Sequence, residues 1–86
     1  MLDWQDLRFL LAVARHGALS GAARDLGVDH ATVSRRLASL ETALDAHVVE
    51  RLPRSVRLTA LGHRLLVHAQ DMQTASNAWR GLRTRP

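Results

Sequence analysis

The stretch 20-SGAARDLGVDHATVSRRLASL-40 decides the fold. Ser20 offers an N-cap for a short helix over 21–26, and Gly27 stops it. Asp29 caps a second helix, in which Val33, Leu37, Leu40 and Leu44 repeat at the spacing of one buried helical face. Two short helices joined by a turn at Gly27-Val28, the second opening on polar residues, form a helix-turn-helix pattern.

Outward from that pair, 3-DWQDLRFLLAVAR-15 reads as a helix capped by Asp3 and ended by Gly17. Trp4, Leu7, Leu11 and Ala14 recur along it at helical spacing, with Leu10 and Val13 widening the stripe. After Ala46 the period changes. The runs 48-VVERL-52 and 55-SVRL-58 read as short strands around a Pro53-Arg54 turn, and Arg51, Arg54 and Arg57 make this hairpin a basic wing. Thr59 then opens a helix to about residue 82. Leu61, Leu65, His68, Met72, Ala75, Trp79 and Leu82 alternate steps of four and three along it, which is a heptad seam. A small domain is expected to leave the distal half of so long a helix uncovered, so the seam predicts a homodimer. A linker helix packing within a longer chain is the other reading. The expected fold is mainly α: a winged helix-turn-helix of three helices and a two-stranded β wing over 1–58, then a long linker and dimerisation helix over 59–86.

Composition narrows the partners. Eighty-six residues make one small domain. There is no cysteine, so disulfides and cysteine metal sites are excluded. The longest apolar run, 9-FLLAVA-14, is too short to cross a bilayer, and no secretory leader pattern opens the chain, so a cytoplasmic location is expected. All twelve basic residues are arginine and the net charge is +4, a balance suited to a polyanion.

Asp29, His30 and Ser34 are the ingredients of a hydrolase triad, but a triad needs its carboxylate behind the imidazole and an oxyanion hole beside the serine. Asp29 is spent on the helix start, and no catalytic residue is expected. The five histidines fall at no metal-ligand spacing, so neither a metal nor a cofactor is expected. Double-stranded DNA fits better. His30, Ala31, Ser34 and Arg35 point away from the Val33/Leu37/Leu40 face towards bases. Ser20, Thr32 and Arg36, with Arg51 and Arg57 of the wing, are placed for phosphates. The rival from another class is a protein-interaction or oligomerisation module whose arginines merely keep it soluble.

Three ordered signatures carry a family resemblance. The first is Leu7-x-x-Leu10-x-x-Val13-Ala14-x-x-Gly17-x-x-Ser20-x-Ala22-Ala23-x-x-Leu26. The second is Val33-Ser34-x-x-Leu37-x-x-Leu40-Glu41-x-x-Leu44, and the third Glu50-Arg51-x-x-Arg54-x-x-x-Leu58-Thr59-x-x-Gly62. Together they resemble the N-terminal DNA-binding domain of LysR-type transcriptional regulators over about residues 3–82. The resemblance implies that the third helix enters the major groove, that Arg54 at the wing tip enters the adjacent minor groove, and that the long helix dimerises. It also implies a small-molecule effector, bound only through a C-terminal domain absent from this chain. Two departures stand out: Asp29-His30-Ala31 replaces the usual Ser-Gln-(Pro/Ser), and Asp45 stands where the family carries a turn glycine.

Overall fold

A computed structural model describes the backbone of residues 3–84 and the side chains of residues 3–78. The elements run α1 (Trp4–His16), α2 (Leu19–Leu26), α3 (His30–Leu44), β1 (Val49–Arg51), β2 (Val56–Leu58) and α4 (Ala60–Thr84). This is the expected mainly helical architecture with a two-stranded wing.

Helix α1 is the hub. Asp3 caps it by accepting from the Gln5 N–H at 2.9 Å, and Gly17 closes it in the left-handed conformation, φ 66°. Because α2, α3 and α4 all pack on it, burial extends beyond the expected stripe to Phe9 and Ala12, while Trp4 is only half-buried. Leu10 and Val13 meet Val33, Leu37 and Leu40 of α3 in the centre of the core.

Helix α2 starts one residue before the predicted range of 21–26 would place its cap. Ala18 is the N-cap and makes no side-chain capping bond; Ser20 lies inside the first turn. The reason is burial. Starting at Leu19 aligns Leu19, Ala22 and Ala23 on the core face, and hiding a leucine outweighs a hydroxyl cap of about 1 kcal/mol. Gly27 then takes φ 68° and its N–H returns to the carbonyls of Ala23 and Arg24.

The wing strands are shorter than 48–52 and 55–58. Val48 is fully buried and its N–H goes to the Glu41 carboxylate at 2.8 Å instead of to a partner strand. Its carbonyl accepts from the Thr59 N–H at 3.0 Å. The antiparallel register pairs Val49 with Leu58 and Arg51 with Val56, and the Leu52 N–H to Ser55 carbonyl bond closes the hairpin around Pro53-Arg54. At the end of α3, Asp45 adopts the left-handed conformation that a glycine would take most readily, φ 51°, with its N–H on the carbonyls of Glu41 and Thr42.

Thr59 starts α4: its hydroxyl accepts from the Gly62 N–H at 3.1 Å and donates to the His47 carbonyl at 2.8 Å. The helix packs along α1 further than its heptad seam implies. Ala69 is fully buried, Leu61, Leu65 and Leu66 pack against the same core, and Gln73 and Ser76 are half-buried beside Trp4 and Arg8.

Candidate nucleic-acid interface

Helix α3 turns about 100° per residue, so its residues sort into faces. Val33, Leu37 and Leu40 face the core. The opposite face carries Ala31, Arg35 and Ala38, all exposed. One flank, with Ser34 and Glu41, looks to the wing, and the other, with Arg36, looks to α1.

The start of α3 is rigidly set. Asp29 Oδ1 accepts from the Thr32 N–H at 2.7 Å. The Thr32 hydroxyl, and then its backbone N–H, hold the Asp29 carboxyl below its ordinary value, so it remains ionised. Arg35 donates to Thr32 Oγ at 3.2 Å and is otherwise turned outward; His30 and Ala31 are exposed beside it. Ser34 accepts a 2.7 Å hydrogen bond from the Arg51 guanidinium of β1. A guanidinium donates and takes no proton, so this contact orients the hydroxyl without activating it as a nucleophile.

The wing closes one side of an open groove of about 340 Å³. Ser20 of α2, His30 of α3 and Arg51 and Arg54 of the wing all line it. Residues far apart in sequence thus converge on one basic concavity beside the exposed face of α3.

Besides Arg51, which donates to Ser34, two arginines expected on phosphates are engaged by carboxylates within the chain. Arg57 makes a two-pronged pair with Glu50 across the hairpin, at 3.0–3.2 Å. Arg36 turns back towards α1, 3.5 Å from the buried carboxylate of Asp6 and 5.7 Å from the centre of the Phe9 ring. Sequence reading missed Asp6 and the Arg51–Ser34 link. An acidic residue on the core side of an apolar helix was the available signal for the first; nothing local signals the second.

Along the seam, Leu61 and Leu65 are half-buried against the chain's own core, and His68, Met72 and Ala75 are exposed. The Trp79 and Leu82 side chains lie outside the described residues. Among the described residues no group of histidine, cysteine and acidic side chains is placed to hold a metal ion, and no helix is long and apolar enough to cross a membrane.

Three helices, the second and third joined by a tight turn, with a basic hairpin beside the third, define a winged helix-turn-helix DNA-binding domain. Comparison with known proteins makes the class specific. The model for bacterial regulatory helix-turn-helix proteins of the lysR family matches residues 4–63, and this chain belongs to that family. It is 47% identical over 73 residues to a probable hydrogen peroxide-inducible genes activator of Mycobacterium avium, covering 85% of this chain and 24% of that protein. It is 35% identical over 80 residues to the SDS degradation transcriptional activation protein of a Pseudomonas strain, covering 93% and 26% respectively. The chain therefore spans about a quarter of the length of these relatives. Among solved structures, the DNA complex of the CbnR DNA-binding domain superposes with a TM-score of 0.85 at 30% identity, covering 95% of both chains. The BenM DNA-binding domain bound to catB site 1 DNA gives 0.90 at 25% identity, covering 98% of this chain and 94% of that one.

Proposed function

We propose that this LysR-family domain reads a specific duplex sequence by laying the start of α3 in the major groove. His30, Ala31, Ser34 and Arg35 face base edges there, and Arg54 enters the adjoining minor groove. Ser20, Thr32 and Arg51 bind phosphates. The observation that carries this reading is the basic groove shared by α2, α3 and the wing, which gathers Ser20, His30, Arg51 and Arg54 next to the outward-turned Arg35.

Ser34 suits a base contact because Arg51 occupies one of its acceptor positions and leaves the hydroxyl proton to donate. Residues 1–58 form the reading unit. Helix α4 joins two copies through the exposed part of its seam, with Met72 46% exposed as its centre. The two copies would place their α3 helices on half-sites in inverted orientation. The chain acts in the cytoplasm as the DNA-reading part of a longer transcriptional regulator, whose remaining portion takes the small-molecule effector.

The test combines salt and sequence. A selection from random duplex yields the preferred site, and Arg35→Ala is then titrated against that site and against its single-base variants. Loss of a two-pronged base contact weakens binding by about 1–3 kcal/mol and flattens preference at one base pair. An equal loss on every sequence makes Arg35 a phosphate clamp. A wild-type affinity that does not fall with salt sinks duplex binding altogether and leaves the protein-interaction reading.

A further inference from the structure

We infer that Asp6 withholds Arg36 from the DNA backbone, so that this buried carboxylate limits sequence-independent binding; the inference rests on the duplex-binding reading above. Asp6 sits in the first turn of α1 with 4% of its surface exposed. Its Oδ1 has no hydrogen-bond partner, and among the described residues Arg36 is the only cation within 4 Å of it. A carboxylate this deeply buried is strongly unfavourable without a countercharge beside it, and the Arg36 guanidinium is the group in place to supply one.

Arg36 itself is not buried. Its side chain is 44% exposed, and it lies over the Phe9 ring on the flank of α3 nearest α1. A long side chain at the edge of a groove-reading helix has two directions open to it: back to the scaffold, or outward to the phosphates bordering the groove. Here it goes back. Of the adjacent pair Arg35-Arg36, only Arg35 is then presented to DNA, and α3 carries one outward guanidinium instead of two.

The consequence is selectivity. A phosphate contact strengthens binding to every sequence alike, and each one adds about 0.9 to the slope of log affinity against log salt. Holding Arg36 on Asp6 removes one such contact while leaving the base-facing residues untouched. Asp6 is therefore a positioning residue: it touches no DNA and acts through where it keeps Arg36.

The experiment measures anisotropy of a labelled random-sequence duplex between about 50 and 200 mM salt, with the full chain and four variants. Asp6→Asn should bind the random duplex more tightly at low salt. Its slope should steepen by about 0.9, an extra loss of about 3.5-fold across that range. Asp6→Asn/Arg36→Met restores the net charge and should return the slope to wild type. Asp71→Asn changes the charge equally at an exposed position of α4 and should leave the slope alone. Arg36→Met by itself should also match wild type in slope.

A merely structural role for Asp6 would lower the melting temperature and leave the slope unmoved, and that result overturns the inference. So does a steepening in Asp71→Asn equal to that in Asp6→Asn. If Asp6→Asn fails to fold, the double variant, which leaves no unpaired charge, still decides: a slope about 0.9 below wild type means Arg36 already binds phosphate. A wild-type chain with no salt slope would instead defeat the duplex-binding reading itself.

Discussion

Gly62→Ala should damage this domain more than any surface change of one methyl group. A Cβ on Gly62 would stand 2.1 Å from the Val48 carbonyl oxygen, 3.1 Å from its carbon and 3.2 Å from Leu58 Cβ. The obstacle is main chain, so no rotamer change relieves it, and α4 must back away from the wing. Forcing a methyl into a packed contact costs about 1–3 kcal/mol, and a backbone obstacle belongs at the upper end. Backing away also stretches the Thr59 N–H bond to the Val48 carbonyl and the Thr59 hydroxyl bond to the His47 carbonyl, each worth about 1 kcal/mol. Alanine's better helix propensity returns about 1 kcal/mol. The net is about 2–4 kcal/mol, against a total of about 4–13 kcal/mol expected for a chain this size. Thermal unfolding followed by circular dichroism at matched protein concentration should show a fall of roughly 10–25 °C. A midpoint within about 5 °C of wild type would mean that α4 and the wing are not locked through this contact.

The left-handed Asp45 offers the opposite experiment: Asp45→Gly should raise stability by about 0.5–1 kcal/mol, or about 3–6 °C, and Asp45→Ala should lower it. Any order other than glycine above aspartate above alanine refutes the strain at that residue. The Asp29 cap predicts a pH dependence. Its carboxyl is held below the ordinary value in the folded chain, so its contribution is fully present above the unfolded value and disappears as pH falls through the folded one. The stability gap between wild type and Asp29→Asn should therefore hold steady near neutrality and close only in acid. Urea titrations at about pH 7 and at about pH 3 that give the same gap would rule out a charge-dependent cap.

Most elements were readable because they rest on local physics. Asp3 and Asp29 had the chemistry to cap helices, Gly17 and Gly27 the freedom to end them, and Val33, Leu37 and Leu40 the spacing to fill a core. The start of α2 was misplaced because a serine cap is visible locally, whereas the burial that pulls Leu19 into the helix is decided by α1. The face of α4 turned to α1 escaped notice for a different reason. It runs through Ala69, Gln73 and Ser76, small or polar residues that pack because the helices approach closely, and a pattern of large apolar residues passes over them. At the site, the candidate groove residues could be named from helix geometry, but their partners could not. Asp6 with Arg36, and Ser34 with Arg51, are separated by 30 and 17 positions, and only the crossing of α1, α3 and the hairpin brings each pair together.

The Glu41 carboxylate receives the N–H groups of Val48 and Val49, while Arg51 reaches back to Ser34, so α3 and the wing are fastened to each other near both ends of their contact. In the proposed placement on DNA, α3 and the wing act as the fixed jaws of a gauge, with a spacing set by the protein. A duplex whose neighbouring grooves do not match that spacing has to bend or twist to engage both. Sequences that deform easily are then favoured at base pairs no side chain touches.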